Sequence, residues 1–149
     1  MDNIFFNMEE FSIRKFEIID ENDVIALWKL CNLVVPQNNP KKDIEEKMNF
    51  QPELFFVGEF QNNIIASIMI GYDGHRGWLY YLAVHPDFQR RGFGTQLIDF
   101  ARDCLSTLGC QKINVQIRTS NASVASFYKR VGFFEDHVFG LGKRIKKDS

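Results

Sequence analysis

Apolar positions along the chain change their period several times, and each change marks an element. Residues 11–18 alternate apolar and charged side chains, which predicts a strand with one face on a core. Asp20 then caps a helix whose buried side is Val24, Ile25, Leu27, Trp28 and Cys31. Asn38, Asn39 and Pro40 break the chain before a second helix over about residues 41–49. Residues 54–60 and 64–72 predict a hairpin around Gln61, Asn62 and Asn63, and a strand from Trp78 to Val84 extends the sheet. Leu97, Ile98, Ala101, Leu105 and Leu108 then recur at helical spacing until Gly109 ends the pattern. A strand over residues 112–117, a helix over 122–131 and one or two final strands complete the reading. Residues 1–10 read as a flexible extension.

The junction between the 78–84 strand and the long helix carries the most chemistry. Gln89-Arg90-Arg91-Gly92-Phe93-Gly94-Thr95 follows a turn at His85-Pro86-Asp87. Glycines at 92 and 94 leave the first helical turn without side chains between its N–H groups and a ligand, and the helix dipole adds positive potential there. An anion such as a phosphate fits. No Lys-Ser or Lys-Thr follows Gly94, which speaks against a nucleotide P-loop.

This segment resembles the acetyl-CoA-binding motif of the GNAT family of N-acetyltransferases, with Gln89, Gly92 and Gly94 in the motif positions and Leu82-Ala83-Val84-His85-Pro86 leading into it. A second family signature is matched by Asn121, Ala125, Phe127-Tyr128 and Gly132-Phe133. The resemblance covers essentially the whole chain. It implies an α/β (α+β) GNAT fold, a mixed, mostly antiparallel sheet of six to seven strands flanked by about four helices, as one domain over residues 11–149. Together with Tyr80-Tyr81-Leu82, the segment from Gly71 to Gly77 looks like a small bacterial subgroup, the YpeA-like proteins.

The implied activity is transfer of an acetyl group from acetyl-CoA to a primary amine by direct attack. Backbone amides from Arg91 through Gly92, Phe93, Gly94 and Thr95 would bind the pyrophosphate, Arg90 and Arg91 would reach the adenosine phosphates, and Leu82, Ala83 and Val84 would pair with the pantetheine amides. Tyr128 would donate a proton to the departing thiolate, since a phenol with a reference pKa of about 10 is protonated at neutral pH. Asn121 has two candidate jobs, capping its helix and bonding to the pantetheine arm. Asp73, His75, Arg76 and Tyr80 are candidates for acceptor recognition, against a plain polar turn built on Asp-Gly chemistry.

The family's usual general bases are missing. Trp78, Leu79, Tyr80 and Tyr81 occupy the strand positions where many relatives carry an acid, and Gln116 stands where another group has Glu. Glu59, Asp73 and His75 remain as proton acceptors. A site without a dedicated base favours a less basic amine, an α-amine of reference pKa about 7.7–8.0 over a lysine near about 10.4. A non-catalytic acyl-CoA-binding module or sensor is the alternative function, and the retained Tyr128 weighs against it.

Composition narrows the rest. A net charge of −1 argues against a protein that holds a nucleic-acid backbone. No apolar run approaches the ~20 residues of a membrane span, and no signal-peptide pattern opens the chain, so a cytoplasmic protein is expected. Cys31, Cys104 and Cys110 read as structural thiols, and His75, His85 and His137 are too scattered for a metal site. The 15 Phe predict an aromatic core and are compatible with a homodimer interface.

Overall fold

The computed structural model describes residues 10–146. Except for Glu10, the expected extension at residues 1–10 therefore lies outside the described residues. The chain divides into two compact units, one ending at Asn114 and one beginning at Val115.

The first unit holds a five-stranded sheet in the order β1 (Ser12–Lys15), β2 (Phe55–Phe60), β3 (Asn63–Tyr72), β4 (Gly77–Val84) and β5 (Ile113–Asn114). The first four strands pair antiparallel and β5 joins β4 in parallel, so the sheet is mixed as expected. It has five strands among the described residues, and not six to seven. The one or two strands expected from the final residues are absent among the described residues: Val138, Phe139, Leu141 and Ile145 lie exposed there, and burial gives no return for extending them. The strand expected over residues 112–117 shrinks to Ile113–Asn114, and β1 stops at Lys15, where Phe16 turns into the core.

Period-two alternation in β2 sorts the core into two layers. Phe55 and Val57 face a cluster with Val24, Leu27 and Trp28 of α1 (Glu21–Leu30) and Ile44 of α2 (Pro40–Met48). Phe56 and Phe60 meet the other layer, with Phe56 edge-on to Phe100 and Phe60 beside Phe93 of α3 (Phe93–Thr107). Gly58 lies between them because Phe11 fills the space a side chain would need: a Cβ there would stand 2.5 Å from the Phe11 ring. The aromatic core foreseen in the composition is this pair of layers.

Local signals explain most element ends. Gln61 and Asn62 both adopt left-handed φ, 53° and 63°, and close the β2–β3 hairpin as a two-residue turn. Asn39 caps α2, its Oδ1 accepting from the Lys42 N–H at 3.2 Å, with Pro40 in the first turn. Asp20 precedes α1 but makes no side-chain cap bond. Its carboxylate is instead taken by Arg14, at 2.8 and 3.0 Å, and by the Glu17 N–H at 2.9 Å. The Arg14 hydrogen bonds hold that carboxyl below the usual carboxylate range. Leu108, counted into the apolar stripe of α3, is about half exposed; the stripe ends at Leu105 and Gly109 turns the chain with φ 87°.

The second unit carries α4 (Ala122–Arg130), one residue shorter than expected, and no strand among its described residues.

Candidate functional site

The loop between β4 and α3 leaves its backbone bare. Gly92 occupies the N-cap position of α3 with φ 84°, a conformation in which glycine pays no steric penalty, and no side chain caps the helix. The first intrahelical bond runs from the Gln96 N–H to the Gly92 carbonyl, so the amides of Phe93, Gly94 and Thr95 precede the helical ladder. A Cβ on Gly92 would meet nothing within 4 Å, which leaves room for a phosphate at the positive end of the dipole. Gln89 anchors the loop from behind by donating from Nε2 to the Val84 carbonyl at 2.9 Å. That carbonyl also receives the Cys31 thiol at 3.3 Å. Arg91 sets its guanidinium 5.0, 5.6 and 5.4 Å from the rings of Phe60, Phe88 and Phe93, so its charge is held on an aromatic platform beside the loop. Arg90 is exposed with φ 64°.

Upstream of the loop, at Tyr81 and Leu82, β4 departs from regular pairing. Ser67 faces Ala83 and Met69 faces Tyr80, so Ile68 alone stands opposite Tyr81 and Leu82. This is a β-bulge, and Tyr81 adopts φ 52° within it, a left-handed conformation that costs a non-glycine residue about 1–2 kcal/mol. Its surroundings hold it there. The Tyr81 ring stacks on Trp28 at 3.7 Å and 12°, its carbonyl accepts from Ser67 Oγ at 2.8 Å, and Ser67 Oγ accepts from Trp28 Nε1 at 2.8 Å. Its hydroxyl donates to Asp43 Oδ2 at 2.5 Å and accepts from Asn38 Nδ2. Asn38 in turn ties the α1–α2 connection, accepting from the Val35 N–H and donating to the Leu33 carbonyl. Burial, and then the bond to Asp43, raise the Tyr81 phenol above its ordinary range. Sequence reasoning named neither Tyr81 nor Asp43 for a role; only the polar residues of Asn38-Asn39-Pro40 hinted that the connection was structured.

Pairing of β5 with β4 covers Gly77 and Trp78 only, so Leu82, Ala83 and Val84 lie beyond it on that side of the sheet. Leu82 and Val84 are half-buried and Ala83 is buried.

The turn from Asp73 to Arg76 is built from its own polar groups. Asp73 Oδ1 accepts from the N–H groups of Arg76 at 2.7 Å and His75 at 2.8 Å, and these bonds, Arg76's first, hold its carboxyl below the carboxylate range. Arg76 also donates to the His75 carbonyl at 3.2 Å. Tyr80 is half exposed, its phenol pushed up by burial and by the charge of Asp73. Among the other proton acceptors considered, Glu59 is engaged by Arg14 at 2.9 Å.

In the second unit, Tyr128 is 5% exposed, edge-on to Phe127 and Phe133 with ring centroids 5.3 and 5.1 Å away. Burial raises its phenol above the ordinary range, which keeps it protonated, and its hydroxyl has no hydrogen-bond partner among the described residues. Asn121 occupies the N-cap position of α4 but makes no side-chain cap bond; Ser123 Oγ reaches its Oδ1 at 3.4 Å. Of its two candidate jobs, the side-chain cap is therefore absent.

The described residues include no group of three or more His, Cys, Asp or Glu able to hold a metal ion, and no helix long and apolar enough to cross a membrane. The three cysteines are free and half-buried, and burial raises the thiols of Cys31 and Cys104.

A mixed sheet whose bulged fourth strand leads to an uncapped glycine loop is the scaffold this chain presents. The Acetyltransferase (GNAT) family matches residues 22–133, and the chain belongs to it. It is thereby an acetyltransferase with acetyl-CoA as co-substrate. The acetyltransferase YE1169 of Yersinia enterocolitica is 45% identical over 136 residues, covering 91% of this chain and 96% of that protein. The acetyltransferase SG1711 of Sodalis glossinidius is 45% identical over 137 residues, with the same two coverages. In fold, the chain is similar to the PaiA N-acetyltransferase of Thermoplasma acidophilum, a structure solved with coenzyme A, at a TM-score of 0.75 and 19% identity over 88% of this chain and 94% of that one.

Proposed function

We propose that the protein acetylates a primary amine by direct attack on the thioester, as one domain spanning residues 11–149 and as a member of the YpeA-like subgroup. Acetyl-CoA, when bound, supplies the activated acetyl group. The observation that carries this reading is the N-terminus of α3, where Gly92 is uncapped, at φ 84° and open to at least 4 Å. The amides from Arg91 to Thr95 bind the pyrophosphate, Arg91 adds positive potential from its aromatic platform, and Arg90 takes an adenosine phosphate. Leu82, Ala83 and Val84 offer the strand edge for the pantetheine amides, and Asn121 bonds the same arm. Tyr128 protonates the leaving sulfur as the new C–N bond forms and the C–S bond breaks, and the proton lost by the acylated nitrogen passes through water to restore the phenol. Its raised phenol favours that direction, because the proton is present at neutral pH. On the acceptor side Arg76, His75 and Tyr80 have the freer side chains, since the Asp73 carboxylate closes its own turn.

The test is calorimetric titration of acetyl-CoA into wild type, Gly92→Glu and Gly92→Ala, with circular dichroism as the fold control. Both variants strain the same backbone, and only the first places a carboxylate at the phosphates. The expected result is binding by wild type and by Gly92→Ala and none by Gly92→Glu. CoA release is then followed with a panel of a peptide bearing a free N-terminus, lysine, spermidine and glucosamine. Tyr128→Phe should lower kcat by about 10- to 100-fold with acetyl-CoA affinity unchanged. A folded wild type that binds no acetyl-CoA overturns the reading.

A further inference from the structure

Asp43 combines a negative charge, a fixed geometry and, among the described residues, the absence of an ion-pair partner. It lies in the first turn of α2, half-buried, with Oδ2 held by the Tyr81 hydroxyl at 2.5 Å. Capping does not explain it, because Asn39 already accepts from the Lys42 N–H. Pairing does not explain it either. The ion pairs of Arg14 with Asp20 and Glu59, and of Arg102 with Asp99 and Asp103, do not include Asp43. Lys47, one turn along the same helix, sends its Nζ to the Ile70 carbonyl instead. Oδ1 is left without a partner among the described residues. A carboxylate partly withdrawn from water and held by neutral donors alone gains most from a cation that brings its own N–H groups.

The location gives that cation an identity. Tyr81, which holds Asp43, is the left-handed residue of the β4 bulge and directly precedes Leu82, the first residue of the strand edge assigned to the pantetheine arm. Tyr81 is fixed at its carbonyl, at its hydroxyl and over its ring face, by Trp28, Ser67, Asn38 and Asp43. The carboxylate is thus referenced to the edge where the acyl group would lie, and not to a mobile surface side chain.

We propose that Asp43 is the acceptor-binding residue for the amine substrate, receiving its ammonium group on Oδ1, with Tyr81 and Asn38 as positioning residues; the bound ammonium gives one proton to water, and the neutral amine so formed is the nucleophile. The substrate class is accordingly a cationic primary amine that presents N–H donors to a carboxylate beside the β4 bulge. This rests on the acetyl-transfer reading above and deepens its acceptor side.

The test is steady-state acetylation by the full chain at saturating acetyl-CoA, using whichever amine of the peptide, lysine, spermidine and glucosamine panel gives the highest kcat/KM with wild type. Asp43→Asn should raise the KM for that amine about 10-fold or more while leaving the KM for acetyl-CoA within about twofold. Asp43→Glu, which keeps the charge, should recover part of the loss. Tyr81→Phe, which keeps the ring on Trp28 and removes the hydroxyl, should raise the amine KM by about threefold, without moving that for acetyl-CoA. The amine KM of wild type should rise with added sodium chloride, and that of Asp43→Asn should not. An amine KM unchanged in Asp43→Asn, or one that rises together with the acetyl-CoA KM, overturns the assignment and leaves acetyl transfer standing. A wild type that binds acetyl-CoA but acetylates no amine of the panel also overturns it. A wild type that binds no acetyl-CoA removes the transfer reading and this inference together.

Discussion

The loop at the start of α3 and the bulge in β4 are neighbours in the chain, and they are built on opposite principles. The loop works by leaving side chains out: Gly92 is uncapped, and the amides after it precede the helical bonds. The bulge works by bringing side chains in, with Trp28, Asn38, Asp43 and Ser67 converging on Tyr81 from three separate elements and a connection. In the function proposed above, backbone serves the cofactor phosphate and side chains serve the acceptor, so the comparison sets the two halves of the proposed site against each other.

The sharpest way to break the comparison is to damage each region and ask which property falls. Trp28→Ala removes the fully buried ring under Tyr81 and the donor to Ser67, and should cost about 3–5 kcal/mol in urea unfolding. Gly92→Glu should leave stability within about 2 kcal/mol of wild type, since only the left-handed backbone objects, yet weaken acetyl-CoA about 100-fold or more by calorimetry. If Gly92→Glu unfolds the protein as Trp28→Ala does, the loop is part of the core and the contrast fails.

Ser67→Ala sharpens the same point with a single atom. The hydroxyl links Trp28 Nε1 to the Tyr81 carbonyl in a fully buried position, so its removal strands one donor and one acceptor. The expected loss is about 2 kcal/mol by urea or thermal unfolding, with acetyl-CoA affinity unchanged. Equal loss of affinity would mean that the bulge and the loop act as one unit.

The two principles also decide how much could be read from the amino acids alone. Gly92 and Gly94 announce the loop because an omitted side chain is visible in a linear string, and the apolar run from Leu54 to Phe60 announces one arm of a hairpin. The bulge is silent. Nothing in Tyr80-Tyr81-Leu82 says which residue turns left-handed, because the answer depends on Trp28 and Ser67, which lie 53 and 14 residues away from Tyr81 by their numbers in the chain. Asp20 misled for a related reason: an Asp before a helix is the usual cap, but Arg14 offered its carboxylate a charged partner, and a charged hydrogen bond outweighs a capping one. The one or two final strands expected after the last helix do not form among the described residues, where Val138 and Phe139 lie exposed and no burial fixes an extended register.

Lys47 offers the finest test, because it belongs to the side-chain-built region yet affects stability through a proton. It is buried on α2, its Nζ bonded to the Ile70 carbonyl of β3, and burial pulls its pKa from 10.5 down to about 8 while Glu53 pushes the other way. Below pH 8 the folded protein carries a desolvated ammonium, and the penalty is present in full. Between about pH 8 and about 10.4 the unfolded chain keeps its proton while the folded one releases it, so the unfolded state binds more protons and stability rises with pH. The stability of wild type relative to Lys47→Met should therefore improve by about 1 kcal/mol between neutral and alkaline pH, as read from urea midpoints at each pH; comparing the two proteins cancels the other groups that titrate there. A flat difference would mean that the Ile70 carbonyl compensates the charge completely. The attachment of α2 to the sheet would then be an ordinary ion–dipole bond, and the position of Asp43 one turn earlier would not vary with pH.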